Sequence, residues 1–436
     1  MGPSVTARYG FGLFWLIWLG VVLQTIYNIL WVRLVVVTGE PPGVLFSRIW
    51  PGAKFWAWFA PFSHFIGHMW PGWALAAATA LAMMILRRVP GGADAPFVQT
   101  LGIILFFICF LLFIAGGKVE AVLEAVMKVL CFAILFGLIF ILAPLTISGV
   151  AVSKSLQGFV SVGYVPRGVD ILLLAGWWAY IGNASGLNWY IAHWYRDRGF
   201  GTASLVGYIP TLIGGKKVTI SPIGKTFKIT PENVSTFKKW VKVVNIDMWL
   251  IYAVGAFIGM TIPCMVVGSL LPEGTVLPAW GIAGHVANEF ASRVGLWGFY
   301  LVCLIGFFVT WSTQLGTLDH VMRVITDIVW STSESVRKRT KGDVRYIYYS
   351  LMALYIAFAS WAIWQTQPLI LLLLGANMAN FAAVWSVPAL FALSMKLPKE
   401  LRPHPVVWVF MLVFWSMCTF FATALTLYYV FGIKVL

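Results

Sequence analysis

The sequence contains ten long stretches with almost no charged side chains, and each is long enough to cross a lipid bilayer as a helix. A membrane-spanning helix needs about 20 predominantly apolar residues. Because the second stretch is too long for one upright helix, Pro61 and Pro71 are expected to kink it. The pattern predicts an all-α integral membrane protein with a single transmembrane domain. The ten runs cover residues 11–37, 55–86, 97–117, 129–153, 171–195, 248–272, 294–318, 346–364, 369–395 and 406–433.

The composition excludes the common soluble classes. Of the 436 residues 60% are hydrophobic and 10% are charged, whereas a soluble domain has about a quarter charged residues. A soluble enzyme, a nucleic-acid-binding domain and a disordered chain are therefore excluded. The sequence also contains no His-Glu-x-x-His and no Gly-x-Ser-x-Gly motif. We expect no catalytic activity and no bound cofactor.

The net charge of +15 is distributed as in a membrane protein. If the first run enters from outside, 23 of the 30 Lys and Arg residues fall in inner loops and 7 on the outer side. Positively charged loops stay on the cytoplasmic side of a membrane. The sequence thus predicts a multi-pass protein of the cytoplasmic membrane that contacts lipid and no nucleic acid, with its C-terminus outside.

The longest polar stretch, residues 199–244, is predicted to lie on the inner side. Residues 214–220 and 224–230 resemble two short strands of a hairpin. An amphipathic helix is expected to follow, with Thr230 as N-cap and Pro231 at the first helical position. One interpretation is that this element binds anionic lipid or regulates the protein. The other, which we favour, is that it tethers the next span to the inner leaflet.

A polar segment rich in glycine interrupts the fifth run, 171–195. Unpaired backbone groups inside a bilayer are tolerated where they line a polar cavity. The freed carbonyl and amide groups could coordinate an ion or a small polar solute, as in transporters built on discontinuous helices. The competing interpretation is close helix packing through a Gly-x-x-x-Gly pair. The candidate binding residues are Gly182, Asn183, Ala184 and Ser185.

Other polar residues inside the runs are second-line candidates for the same cavity. Gln314 belongs to a polar patch in the seventh run, and Asn377 and Asn380 lie one turn apart in the ninth. Buried amides also often serve only to cross-link helices. His64 and His68 have metal-ligand spacing, but without a nearby Cys, Asp or Glu a metal role is not favoured.

Several short motifs of the chain are distinctive, namely Gly2-Pro3, Tyr9–Trp15, Arg33–Gly39, Trp70–Trp73, Arg196–Gly201 and Thr230–Asn233. In their order they resemble the natural resistance-associated macrophage protein (Nramp) family, in particular its divergent prokaryotic branch. The resemblance covers essentially the whole chain. It implies the five-plus-five inverted-repeat fold of the amino acid–polyamine–organocation superfamily. It also implies uptake of a divalent metal cation by alternating access, coupled to H⁺ or alternatively to Na⁺.

The sequence departs from the family at the sixth helix. Metal-transporting members have a Met-Pro-His-type motif there, whereas this chain has Gly182-Asn183-Ala184-Ser185. The soft methionine sulfur that favours transition metals is missing. Asn183 and Ser185 are the expected metal ligands, and their oxygens suit a harder cation such as Mg²⁺ or a non-metal solute.

The second departure concerns the first helix, whose ligands should precede Gly2. Residues 2–9 make a helix of about 12 Å, less than half the hydrocarbon thickness. Gly10-Phe11-Gly12 matches Gly199-Phe200-Gly201 at an offset of 189, which puts the partner of the sixth-helix break before Met1. We therefore expect a truncated first helix.

Two alternative functions stay open at this point. One is a cation-coupled organic-solute symporter of the same superfamily. The other is a non-transporting membrane scaffold or sensor, which would follow if the N-terminus is complete. The sequence does not determine the oligomeric state.

Overall fold

This computed structural model describes residues 1–114, 118–181, 185–213, 215, 220–277, 282–365 and 367–435, with the backbone alone at 185 and 282. Helices account for most of these residues. In chain order they are α1 (Gly2–Tyr9), α2 (Trp15–Thr38), α3 (Pro42–Phe46), α4 (Ala53–His68), α5 (Gly72–Leu86), α6 (Ala95–Ile114), α7 (Val119–Phe136), α8 (Ala143–Thr146), α9 (Gly149–Val160), α10 (Ile171–Tyr180), α11 (Ser185–Asp197), α12 (Pro231–Ile246), α13 (Val254–Leu270), α14 (Ile282–Val294), α15 (Leu296–Thr332), α16 (Glu334–Arg339), α17 (Arg345–Ile363), α18 (Pro368–Met395) and α19 (Val407–Phe431).

Nine helical stretches within these described ranges are long and apolar enough to cross a membrane. Two π-helical turns, Gly137–Leu142 and Asp247–Ala253, make α7 continuous with α8 and α12 continuous with α13. The remaining predicted run, 171–195, is divided into the shorter helices α10 and α11. The fold is therefore an all-α membrane fold in which this span is interrupted.

The side chains on the outside of this bundle are apolar, as a lipid environment requires. Large hydrophobic side chains of α6 and of the α7–α8 stretch are exposed, among them Leu111, Phe132 and Phe140. In water such a continuous apolar surface would drive aggregation. By contrast α2 is almost entirely enclosed and packs against α11, α19 and α12. The centre of the protein is thus built around α2.

The span predicted to end at residue 318 continues as helix α15 to Thr332. The apolar pattern stops there because two Asp and one Arg follow, yet Asp319, Arg323 and Asp327 are all buried. Ion pairing inside the bundle explains this, since a buried charge is tolerated when it is paired and hydrogen-bonded. Arg323 and Arg196, assigned to inner loops on charge alone, are in fact buried side chains.

The predicted kink at Pro71 is a complete interruption between α4 and α5, whereas Pro61 lies inside α4. Two side chains from other helices bind the backbone groups that the break exposes. The Tyr355 hydroxyl donates to the His68 carbonyl oxygen at 3.1 Å, and the Gln314 side-chain oxygen accepts from the Ala74 amide at 3.1 Å. The break is therefore a stable feature of the bundle.

The inner polar segment differs from the predicted hairpin. Residues 224–230 are not a strand, because Gly224 and Lys225 donate their amides to Glu40 and to the Thr38 carbonyl instead of to a neighbouring strand. Much of the first predicted strand, 214–220, lies outside the described residues. The N-cap is confirmed: Thr230 Oγ1 accepts from the Asn233 amide at 3.2 Å, and α12 follows.

Candidate functional site

The interrupted span is the natural place for a binding site by its position in the bundle. Helix α10 ends at Tyr180 and α11 begins at Ser185. Gly182, Asn183 and Ala184 lie outside the described residues, and so does the side chain of Ser185. The role of these four residues therefore remains a prediction. The described part of the site consists of the side chains that surround the two helix ends.

A cluster of uncharged amides lies beside the first turn of α11. The Asn188 side-chain nitrogen donates to Gln24 Oε1 at 2.9 Å and also to Asn28 Oδ1, both on α2. All three side chains are buried. Asn188 Oδ1 has no hydrogen-bond partner among the described residues. A buried, unpaired amide oxygen costs free energy unless water or a ligand binds it, so this cluster is equipped to take up a polar guest.

Three buried imidazoles lie on the other side of α11. His64 and His68 come from α4 and His320 from α15, with ring centroids 4.7 to 5.1 Å apart. Gly186 allows them to approach the interrupted helix, because a Cβ at this position would stand 2.2 Å from His68 Cε1. The sequence could not place His320 in this group, since 252 positions or more separate it from the other two rings.

The hydrogen bonds of the cluster fix one of its tautomers. His68 Nδ1 donates to the His64 carbonyl oxygen at 3.0 Å, which leaves the lone pair on Nε2. That nitrogen is buried and has no partner in the described part of the chain. His320 Nδ1 and His64 Nε2 are 3.2 Å apart. Within the described residues, no three His, Cys, Asp or Glu side chains are arranged to hold a metal ion.

The second-line candidates lie at two different places. Asn377 and Asn380 of α18 donate to the carbonyls of Leu172 and Ala175 on α10 at 3.2 and 3.0 Å. Their own oxygens are buried without a partner among the described residues. Gln314 lies instead at the α4–α5 break, where its Oε1 is occupied by Ala74. The structure thus brings the two asparagines to the interrupted helix and gives Gln314 a supporting position.

The two interrupted helices meet at a small cleft, which the sequence did not predict. Tyr180, the last residue of α10, lies with its ring centroid 5.7 Å from that of Trp73 on α5. Residues of both breaks line the space between them, including Gly67, His68, Trp70, Tyr180 and Leu187. The polar side chains that line this cleft are those of His68, Tyr180 and Thr317.

On the polar side of the bundle a buried charge network joins α11 to α15. Arg196 donates to both oxygens of Asp327 at 3.0 and 2.8 Å, and Arg323 donates to both oxygens of Asp319 at 3.1 and 3.0 Å. Asp197 bridges the two arginines. The hydroxyls of Tyr190 and Tyr348 each donate to Asp319 at 2.6 Å. His193 Nε2 lies 3.2 Å from Asp327.

This network has a physical consequence for the interrupted span. Its two arginines and three aspartates carry a formal charge of −1. Separating the paired groups would leave charges buried and unpaired, which is costly. The network therefore fastens α11 firmly to α15 in this conformation.

Sequence reasoning missed Gln24, Asn28, Asn188 and the charge network. One signal was available: Gln24 and Asn28 are spaced i, i+4 in a helix that carries no charge from residue 15 to 32. Such a pair shares one helix face. What that face contacts depends on α11, which lies 160 residues away along the chain.

Comparison with known proteins gives a likeness in fold. No protein-family model matches the chain, and no curated protein sequence matches it. Among solved structures, a histidine-to-alanine mutant of the Eremococcus coleocola manganese transporter has a TM-score of 0.62 at 13% identity, covering 98% of this chain and 83% of that one. The same transporter in complex with an aromatic bis-isothiourea substituted compound has a TM-score of 0.58 at 11% identity with the same coverage. The chain therefore shares the fold of that transporter.

Proposed function

We propose that this protein is an Nramp-like secondary transporter that moves a divalent metal cation across the membrane by alternating access. One observation carries the proposal: a span interrupted between α10 and α11, enclosed by buried polar side chains, in a fold shared with a manganese transporter. Interrupted helices of this kind bind ions and substrates near the bilayer midplane.

The proposed ligands are oxygens and backbone groups. Gly182, Asn183, Ala184 and Ser185 would form one part of the site, with Asn183 and Ser185 as direct metal ligands. Asn377 and Asn380 would add their unpaired amide oxygens from α18, and Gln314 would hold α5 in place beside them. Hard cations such as Mg²⁺ and Mn²⁺ prefer oxygen ligands. We therefore place Mg²⁺ beside Mn²⁺ as the first cargo to test.

The proposed coupling ion is H⁺, with Na⁺ as the alternative. The imidazoles of His64 and His68 lie against Gly186, and the His320 ring contacts both of them. A neutral imidazole nitrogen can accept a proton. A proton in this cluster would place positive charge beside the cation site, and repulsion between the two would link their occupancies.

The second candidate is a cation-coupled symporter of a small organic solute. It is favoured by the neutral character of the side chains that surround the break, namely the amides of Gln24, Asn28 and Asn188 and the hydroxyl of Tyr180. Neutral hydrogen-bonding groups suit a polar solute as well as they suit a hydrated cation. Measured transport of metal separates the two candidates.

The decisive experiment is metal uptake by the purified full chain in proteoliposomes. Vesicles loaded with a Mg²⁺- or Mn²⁺-sensitive dye would be given either metal outside, with and without an inwardly directed H⁺ or Na⁺ gradient. We expect protein-dependent uptake that the H⁺ gradient accelerates and that Asn183→Ala reduces at least tenfold. Asn288→Ala, at an exposed position on α14, is the matched control and should leave uptake unchanged.

Three outcomes would contradict the proposal. Uptake unaffected by Asn183→Ala would remove the assigned site. Absence of metal uptake together with Na⁺- or H⁺-driven uptake of an organic solute would favour the symporter. Absence of any flux from a folded protein would favour a membrane scaffold or sensor.

We also propose that the protein resides in the cytoplasmic membrane, with residues 199–244 inside and the C-terminus outside. The support is the excess of Lys and Arg in the inner loops. A protease added to intact spheroplasts should remove a C-terminal epitope tag and spare a tag inserted in the 199–244 segment. The reverse pattern would invert the topology.

A further inference from the structure

Helices α12 and α13 form one continuous stretch from Pro231 to Leu270 that passes from a polar to an apolar environment. Along its outer face the exposed side chains become apolar at Val243 and Ile246, which are 47% and 49% exposed. The face continues with Leu250 and Ile251, at 62% and 70%. Apolar exposure of this extent on a spanning helix marks the lipid-facing side. The boundary of the hydrocarbon therefore lies close to Val243.

Exposed lysines stand on the same face at that boundary. Lys239 precedes Val243 by four residues and Lys242 precedes Ile246 by four, so each pair shares one side of the helix. Lys238 adjoins them and is also exposed. With a rise of 1.5 Å per residue, Lys239 lies about 16 Å from Leu250 along the axis. Long lysine side chains at such a position extend toward the lipid headgroups.

Packing on the opposite face fixes the rotation of α12. Phe237 is buried, and the Arg33 guanidinium lies 5.2 Å from its ring centroid. The Trp240 ring centroid is 4.9 Å from that of Phe200, and Val244 is fully buried. Turning the helix to hide the lysines would expose these contacts. The three ammonium groups are therefore held outward.

The charge around these lysines is not neutralised by neighbouring side chains. Some lysines elsewhere in the described part of the chain are paired with carboxylates, as in Lys128–Glu124 and Lys338–Glu334. Lys225 and Lys228 precede α12 and are both exposed. Between residues 220 and 246 the sequence contains one acidic residue, Glu232. The surface is basic and borders directly on the lipid-facing stripe.

We propose that Lys238, Lys239 and Lys242 bind the phosphate groups of anionic phospholipids in the adjoining leaflet. A lipid satisfies both parts of this surface, since its phosphate accepts from the ammonium groups while its acyl chains cover Val243 and Ile246. A soluble anion would satisfy the first part alone. Lysines beside an anionic leaflet each strengthen such binding by about fivefold. The inference is independent of the proposed transport activity.

Native mass spectrometry of the full chain in a neutral detergent tests the proposal. The chain would be titrated with phosphatidylglycerol and with phosphatidylcholine of identical acyl chains. We expect selective binding of phosphatidylglycerol, reduced about 100-fold by the triple variant K238Q/K239Q/K242Q, at roughly fivefold for each lysine. The triple variant K338Q/R339Q/K341Q removes the same charge from the α16 region and should retain the selectivity.

Three results would overturn the proposal. They are equal binding of the two lipids by the native chain, equal loss in the two triple variants, and displacement of phosphatidylglycerol by millimolar inorganic phosphate. The last would identify a soluble-anion site. If the first triple variant does not fold, the single variant K239Q serves as the test. We expect it to bind phosphatidylglycerol about fivefold more weakly and to unfold at the same temperature as the native chain.

Discussion

The His68 ring lies so close to Gly186 that a Cβ at residue 186 would stand 2.2 Å from His68 Cε1. No real side chain tolerates this distance, so α4 and α11 meet here only because residue 186 is glycine. The contact joins the end of one interrupted helix to the beginning of the other. The helix ends on either side of the two breaks are therefore in direct contact through His68 and Gly186.

We predict that Gly186→Ala destabilises the protein by about 1–3 kcal/mol, because a methyl group inserted into a tight contact forces the neighbouring ring to move. Thermal unfolding in detergent measures this effect. Gly259→Ala on α13 is the control, since a Cβ there meets nothing within 4 Å. Equal stability of both variants would show that His68 moves freely and that the contact is loose.

The charge network should be far more sensitive than charges at the surface. Asp327→Asn leaves the buried Arg196 guanidinium without its bidentate partner, and we expect a loss of about 3–5 kcal/mol. Asp94→Asn breaks an ion pair with the exposed Arg88 and should have a much smaller effect, because water screens and solvates both groups. Chemical unfolding followed by intrinsic fluorescence compares the two variants. Similar losses would mean that water reaches Asp327.

The amide cluster gives a prediction for stability and transport together. Asn188→Ala removes the donor to Gln24 and Asn28 and leaves their oxygens buried, at a cost of about 1–3 kcal/mol. If the cluster also takes up the cargo, metal uptake per folded molecule should fall at least tenfold. Uptake that follows the folded fraction alone would assign Asn188 a purely structural role.

The α4–α5 break should depend on Gln314. Gln314→Leu removes the acceptor for the Ala74 amide, and we expect a loss of about 1–3 kcal/mol. Gln314→Glu keeps an acceptor oxygen at the same reach and should restore part of that stability. Hydrogen exchange at residues 72–76 reports the local effect. Unchanged exchange in Gln314→Leu would show that another group binds the amide.

Local sequence patterns predicted most of the fold because hydropathy is a property of neighbouring residues. The apolar runs, the interruption of the span 171–195 and the N-cap at Thr230 could all be read from short windows. The same windows failed where the partner is distant. Residues 319–327 resembled a charged loop because their ion-pair partners, Arg196 and Asp197, are not near them in the sequence. These partners lie more than 120 positions away.

The candidate site divides in the same way. Asn377 and Asn380 could be assigned to one helix face by their spacing, but their contact with the α10 carbonyls could not. His64 and His68 share a face by spacing, whereas the third imidazole comes from α15. A polar residue in an apolar helix predicts a buried partner without identifying it, since the identity is set by which helices pack together.

The sequence by itself determined that this protein lies in a membrane, how many long apolar helices it builds and where one of them is interrupted. These features follow from the free-energy cost of placing charges and unpaired backbone groups in hydrocarbon. That cost depends on the residues of each segment alone. Only the tertiary structure decided that the break of α4–α5 meets that of α10–α11, and that Arg196 and Arg323 are buried with three aspartates. Such pairings depend on packing between segments far apart in the chain, which no local window of sequence contains.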